Sequence, residues 1–235
     1  MSKKVIYQDL GSADYKKAWE HQEKLFNSLL AGKNSSAGTA GRSGSVAGYL
    51  LFCEHPHVYT LGKSGAENNL LIDPAFLKKI GADYYKIDRG GDITYHGPGQ
   101  IVGYPIFDLE QFGTGVRQYI YNIEEAIILT LSGYGIEASR LSSASGVWLD
   151  SESPSSARKI CAIGVRASRH VTMHGFAFNV NTDLSYFSHI NPCGFADKGV
   201  TSMEKELGAA QDMDDLRENL KKNLEAVFGM DLSDN

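Results

Sequence analysis

The sequence predicts an α+β fold, a mixed β-sheet packed with helices. Three observations carry this. Long amphipathic runs at helical spacing are separated by groups of strands instead of alternating with them one by one. Short β-rich runs bounded by turn residues recur along the chain. The 235 residues, 42% hydrophobic and 22% charged, have a globular composition and enough length to bury a sizeable core in one large domain or two small ones.

Val5–Gln8 reads as the first strand. Tyr15, Ala18, Trp19, Gln22, Leu25, Phe26 and Leu29 then repeat at helical spacing behind a cap at Ser12 or Asp14, with Gly32 closing the helix. Five glycines between Gly32 and Gly48 lie in a Ser/Gly-rich stretch without periodicity, a flexible loop. Strands follow at Tyr49–Cys53, Val58–Leu61, Tyr84–Ile87 and Ile101–Phe107. A second long helix spans Val116–Ser132, with Tyr119, Ile120, Ile123, Ile127 and Leu131 on one face. Ile136–Leu141, Val147–Leu149, Ile160–Arg166 and Gly175–Val180 are further strands, and Ser142–Ser145 and Ser151–Ser156 are polar loops that bracket the second of them. Leu184–Ile190 reads as a short helix, and Met213–Phe228 as the last one, with Leu216, Leu220, Leu224 and Phe228 in line.

Composition excludes several functions. A formal charge of −5, from 23 basic and 28 acidic residues, argues against a nucleic-acid coat. No run approaches about 18 consecutive apolar residues, so no transmembrane helix is expected. The first residues turn polar too soon for a signal peptide. Three cysteines, at 53, 161 and 193, make no disulfide framework and fit a reducing cytoplasm. The one excess is glycine: 25 residues, about 11% against a usual ~7%.

Four motifs can carry chemistry. The block Arg89-Gly90-Gly91-Asp92-Ile93-Thr94-Tyr95-His96-Gly97-Pro98-Gly99-Gln100 has paired glycines that let backbone approach a ligand. In it Arg89 is suited to a phosphate or carboxylate and His96 to proton exchange at neutral pH; the competing reading is a tight structural turn with a solvated arginine. In Asn191-Pro192-Cys193-Gly194 a thiol sits on a rigid turn, unlike Cys53 and Cys161, which fall in apolar strands. A nucleophilic thiol needs a nearby cation or base, and Lys159, at the head of Ile160–Arg166, is a candidate, or else a solvated strand-end lysine. His174, opening His174-Gly175-Phe176-Ala177, is either a satisfied edge histidine or a site residue. Cys53-Glu54-His55-Pro56-His57 invites a metal, but Pro56 separates the histidines and no fourth partner has ligand spacing, so no metal is expected.

Taken together these blocks resemble the octanoyltransferases of lipoate biosynthesis. Glu54-His55-Pro56 with Val58–Lys63, Arg89–Gln100, Gly146-Val147-Trp148, Lys159-Ile160 with Ala162–Arg166, His174–Ala177, Asn179-Val180 and Asn191–Gly194 match in order and spacing. His57 departs from the usual pattern, and the serine- and glycine-rich stretches, about 33–47 and 142–157, look like flexible insertions in a single catalytic domain spanning 1–235. The resemblance implies a biotin/lipoyl protein ligase-like fold. It implies transfer of an octanoyl group from acyl carrier protein to a lysine of lipoyl domains, in 2-oxoacid dehydrogenase subunits and the glycine cleavage H protein. It makes Cys193 the acyl-thioester nucleophile and Lys159 the group that lowers its pKa. It makes Arg89, Gly90, Gly91, Asp92, Ile93, Thr94, Tyr95, His96, Ala162, Ile163, Gly164, Gly175, Phe176 and Ala177 acyl-substrate-binding residues. Neither ATP nor a metal is needed, because thioester to amide runs downhill; no nucleic acid or membrane partner is implied, and the location is cytoplasmic. The small residues at 162, 164, 175 and 177 leave room for an eight-carbon chain, and the basic segment Arg158, Lys159, Arg166, Arg169 and His170 is a candidate docking patch for acidic carriers. The rival readings are an ATP-dependent lipoate ligase on the same fold, a non-catalytic module that binds acyl carrier protein, and an amidotransferase that moves octanoyl between lipoyl domains.

Overall fold

The computed structural model describes residues 3–35, 46–153, 155–191 and 199–234. The first half runs β1 (Lys3–Ser12), α1 (Tyr15–Ser35), β2 (Gly48–Glu54), β3 (Val58–Leu61), α2 (Pro74–Lys79), β4 (Asp83–Lys86), β5 (Ile93–His96) and β6 (Gln100–Phe107). The second runs α3 (Leu109–Phe112), α4 (Val116–Gly133), β7 (Ser139–Leu141), β8 (Ala144–Leu149), β9 (Arg158–Ser168), β10 (Val171–Asn179), β11 (Gly199–Val200), α5 (Met203–Leu207), α6 (Met213–Phe228) and β12 (Met230–Asp234).

Among the described residues one sheet holds nine strands in the order β12-β1-β2-β6-β10-β9-β8-β7, with β11 beside β9. It is mixed: β1 runs parallel to both neighbours, and the strands from β2 to β7 pair antiparallel. A second sheet, β4-β3-β5, stands apart from it. Alternation along β2 and β6 sorts the large sheet into two apolar faces. Leu50, Phe52, Ile101 and Phe107 meet α4 and α6 through Tyr119, Ile123, Ile127, Leu216, Leu220 and Phe228. Leu51, Cys53, Val102, Tyr104 and Ile106 meet α1 through Ala18, Leu25 and Phe26. Burying each such side chain stabilises by about 1.5–3 kcal/mol, so this two-sided burial is what orders the sheet.

The predicted α+β class and all three long helices are present, with some differences. Asp14 is the α1 cap, accepting from the Lys17 amide at 3.0 Å, while Ser12 stays in β1. The helix does not stop at Gly32 but runs to Ser35. The strand expected at Ile136–Leu141 begins only at Ser139, because Gly135 turns the chain at φ 74° and drops Ile136 into the core. The short helix expected at Leu184–Ile190 is present as a 3-10 helix over Leu184–His189, opened by Asp183 accepting from the Ser185 amide. The span 142–157 contains β8, whose Val147, Trp148 and Leu149 are buried. Within the Arg89–Gln100 block lies β5, which the glycines on either side conceal.

Candidate active site

A cavity of about 400 Å³ opens over β6, β10 and β9. Register builds its floor, since paired residues on neighbouring strands share a face. Val102 pairs with Ala177 and Ala177 with Ala162, a row of small apolar side chains. One row on, Gly175 pairs with Gly164. The Arg89–His96 block forms one wall, and Lys159, with Trp148 and Ser143–Ser145, stands at the other end. Of the residues expected to bind substrate, Arg89, Gly90, Gly91, Asp92, Ile93, Thr94, His96, Ala162, Ile163, Gly164, Gly175, Phe176 and Ala177 line this one cavity, and so does Lys159.

Tyr95 does not. Alternation on β5 sends its side chain behind the wall, where it is fully buried among Tyr59, Leu61 and Ile190, its hydroxyl 2.7 Å from His57 Nδ1 and its ring stacked on Tyr186. Cys193, with Pro192 and Gly194, lies outside the described residues.

Lys159 is the second residue of β9. Its Nζ sits 4.6 Å from the centre of the Trp148 ring, a cation–π contact that holds the ammonium against a flat apolar surface. Its carbonyl accepts from the Thr201 amide at 2.9 Å, and Val200 of β11 is its strand partner. The Lys159 residue is thus half-buried against that ring and is not a fully solvated strand-end lysine.

Arg89 has a different use from the one expected. Its Nη2 donates to the Thr60 carbonyl (2.9 Å), the Thr60 hydroxyl (3.1 Å) and the Asp92 carbonyl (2.8 Å), and its Nη1 donates to the Gly90 carbonyl (3.0 Å). The guanidinium ties β3 to the glycine block instead of waiting for an anion. The Gly90 amide donates to the Val165 carbonyl at 3.0 Å and pins the block to β9. Asp92 accepts from the Asn69 amide nitrogen at 2.7 Å and from the Ile93 backbone at 2.6 Å, so it too holds shape.

The two floor glycines make room for protein, not for ligand. A Cβ on Gly164 would stand 2.8 Å from Arg89 Cδ, and one on Gly175 would stand 2.1 Å from the Gly103 carbonyl oxygen. The expected space at these positions is already filled by the arginine stem and by β6; the alanines supply the floor.

Three imidazoles are buried around the far end. His96 Nδ1 lies 2.9 Å from Gln100 Oε1, whose own amide nitrogen donates to the Tyr95 carbonyl and to Asn179 Oδ1. That orientation of Gln100 makes its oxygen the acceptor, so Nδ1 of His96 carries the proton. Burial, reinforced by His55, pushes the His96 pKa down to about 3, and the residue stays neutral where proton exchange had been expected. His55 donates from Nδ1 to the Ala13 carbonyl (2.6 Å) and accepts at Nε2 from Tyr104 (2.7 Å). His174 sits at φ 62° inside β10, a conformation uncommon for a residue with a side chain. Its Nε2 donates to Asp88 Oδ1 at 2.9 Å; burial lowers the His174 pKa, while this bond, ahead of Arg166, lowers that of Asp88. His174 is thus a cavity residue. Asp88, Tyr15, Tyr104 and Gln100 complete this end, and only Gln100 carried a sequence signal, through its place in the glycine block.

The proposed basic patch is divided. Arg158 is bound by Glu206 and Asp150, and Arg166 by Asp88, and eight residues of strand put them about 26 Å apart. Cys53 and Cys161 are buried, as their apolar strands predict, and burial raises both thiol pKa values. Among the described residues no group of three His, Cys, Asp or Glu side chains is arranged to hold a metal ion, and no helix is long and apolar enough to cross a membrane.

Residues 14–225 match the family model of the lipoyl protein ligase A/B catalytic domain. The chain is 54% identical to an octanoyltransferase of Cytophaga hutchinsonii over 228 residues, 97% of this chain and 93% of that protein. The chain belongs to the octanoyltransferases of this catalytic family. It is accordingly an enzyme, an acyltransferase that transfers octanoyl groups. Its fold is that of a bipartite lipoate protein ligase from Thermoplasma acidophilum (TM-score 0.68, 14% identity, covering 100% of this chain and 87% of that one). A biotin protein ligase from Aquifex aeolicus is a more distant likeness (TM-score 0.51, 12% identity, covering 97% and 71%). The octanoyltransferase resemblance read from the motifs is thereby established.

Proposed function

We propose that this octanoyltransferase takes its acyl group from octanoyl-acyl carrier protein, holds it as a thioester on Cys193, and passes it to a lysine of lipoyl domains, in the cytoplasm and without ATP or a metal. The acceptors would be 2-oxoacid dehydrogenase subunits and the glycine cleavage H protein. The observation that supports this most is the environment of Lys159. The ammonium rests on an indole face at one end of an apolar-floored cavity, and β11, which follows the Cys193 segment in sequence, pairs with it.

In this mechanism the Lys159 ammonium favours the Cys193 thiolate, at about 1.4 kcal/mol per pKa unit. The thiolate attacks the donor's thioester carbonyl, the C–S bond to phosphopantetheine breaks, and the departing sulfur takes a proton from Lys159. The neutral Lys159 amine then takes a proton as the acceptor lysine attacks the acyl-enzyme, the Cys193 thiolate leaves, and an amide remains. The octanoyl chain lies over Val102, Ala177 and Ala162.

The test is intact mass measurement after mixing with octanoyl-acyl carrier protein. One octanoyl adduct is expected, absent in Cys193→Ala. An unchanged adduct in that variant refutes the nucleophile. Acylation of a lipoyl domain that requires ATP and forms no adduct establishes the ligase reading instead.

A further inference from the structure

We propose that His174, clamped by Asp88 at the end of the cavity away from Lys159, is the stop that limits the length of the acyl chain. The inference rests on the acyl-transfer reading above and identifies what that site selects. His174 pairs with Val165, six residues along β9 from Lys159, or about 20 Å. An octanoyl chain has seven C–C bonds; at about 1.25 Å of advance per bond it spans about 9 Å, and the side chains at the transfer end take up several ångströms more. The chain's methyl end therefore arrives near the Gly164–Gly175 row. It cannot sink between those glycines, because Arg89 Cδ and the Gly103 carbonyl already fill the space their side chains would take.

Beyond that row the wall is rigid. The His174 ring is 2% exposed, its Nε2 is held by Asp88, and the other Asp88 oxygen is held by Arg166. Its backbone sits at φ 62°, so the ring position is imposed by the surroundings and does not relax along the strand. The remaining nitrogen, Nδ1, is buried without a hydrogen-bond partner. A methylene pressed there would confine an unsatisfied polar atom against hydrocarbon, which is unfavourable, while the Asp88–Arg166 clamp prevents the ring from swinging aside. An eight-carbon chain stops short of this; chains two or four carbons longer do not.

The experiment measures kcat/KM of the full chain with hexanoyl-, octanoyl-, decanoyl- and dodecanoyl-acyl carrier protein, reading the acyl adduct by intact mass. The wild type should prefer octanoyl over dodecanoyl at least tenfold. His174→Gly removes the ring and suits the positive φ, and His174→Asn shortens the side chain at a residue type that tolerates that φ. In each variant the decanoyl-to-octanoyl ratio should rise at least fivefold, even if the octanoyl rate falls. A folded variant that loses rate equally for every chain length overturns the proposal, as does a wild type that uses dodecanoyl as well as octanoyl. A wild type that accepts no acyl group from any donor overturns the acyl-transfer reading and this proposal with it.

Discussion

At the Lys159 end of the cavity an ammonium lies on the Trp148 ring beside β11; at the Arg89 end a guanidinium makes four hydrogen bonds to backbone and threonine oxygens, and three imidazoles are buried. Both ends hold basic side chains, but their environments give them different work. An indole face stabilises a cation through its ring quadrupole, a non-directional contact. Three carbonyls and a threonine hydroxyl accepting from one guanidinium turn it into a structural cross-link. The two ends of one cavity are thus distinguished by the partners of their basic side chains, not by residue type.

The largest expected effect breaks the Lys159 end. Lys159→Ala should lower kcat/KM for octanoyl transfer by about 10²–10⁴-fold at neutral pH and recover partly at alkaline pH, as the unassisted thiol ionises. A pH–rate profile checks this; a deficit that is constant with pH would show that Lys159 does not act on the thiol. Next comes the Arg89 end. Arg89→Met keeps the stem over Gly164 but removes the guanidinium from the Thr60 carbonyl and leaves the Asp92 carbonyl only its bond from the Gly62 amide, and should cost about 3 kcal/mol of unfolding free energy by urea titration.

The pH dependence of stability sharpens the same contrast. The folded-state pKa of His96 is pushed down to about 3, below the ordinary value of 6.5, so the unfolded chain binds a proton that the folded one refuses. The stability tied to neutral His96 is present above pH 6.5 and is lost as pH falls from there toward 3. His55 and His174, also lowered by burial, act in the same direction. Urea midpoints at pH 7, 6, 5 and 4 should fall steadily. His96→Gln should flatten the slope by up to about 1.4 kcal/mol per pH unit, and an unchanged slope would mean that this histidine is not the titrating group. The smallest effect is at the indole: Trp148→Phe retains an aromatic face but a weaker one, and a two- to fivefold loss in kcat/KM, about 0.5–1 kcal/mol, is expected at neutral pH.

Much of the frame was legible because it depends on periodicity. β3 spans the expected Val58–Leu61, and α6 spans the expected Met213–Phe228, with Leu216, Leu220, Leu224 and Phe228 all buried. The cavity's membership was legible through the family motifs, but the separation of Tyr95 from His96 was not. One is buried behind the wall and the other lines the cavity, and that depends on β5, a four-residue strand between glycines. β11 and β12 escaped for a related reason: two residues carry no period, and β12 is a strand only because it lies beside β1.

Taken by itself, the sequence determined the α+β class, the apolar faces of the long helices and central strands, and, through ordered motifs, the family and most residues of the cavity. Those are properties of local pattern and composition. Only the tertiary structure decided what the polar members do. Arg89 is a cross-link because Thr60, 29 residues away in the chain, offers it oxygens; His96 is neutral because it is buried beside His55; and Gly164 is crowded because the Arg89 stem lies over it. Charge, protonation and free space are set by neighbours brought from elsewhere in the chain, and a linear pattern does not carry that information.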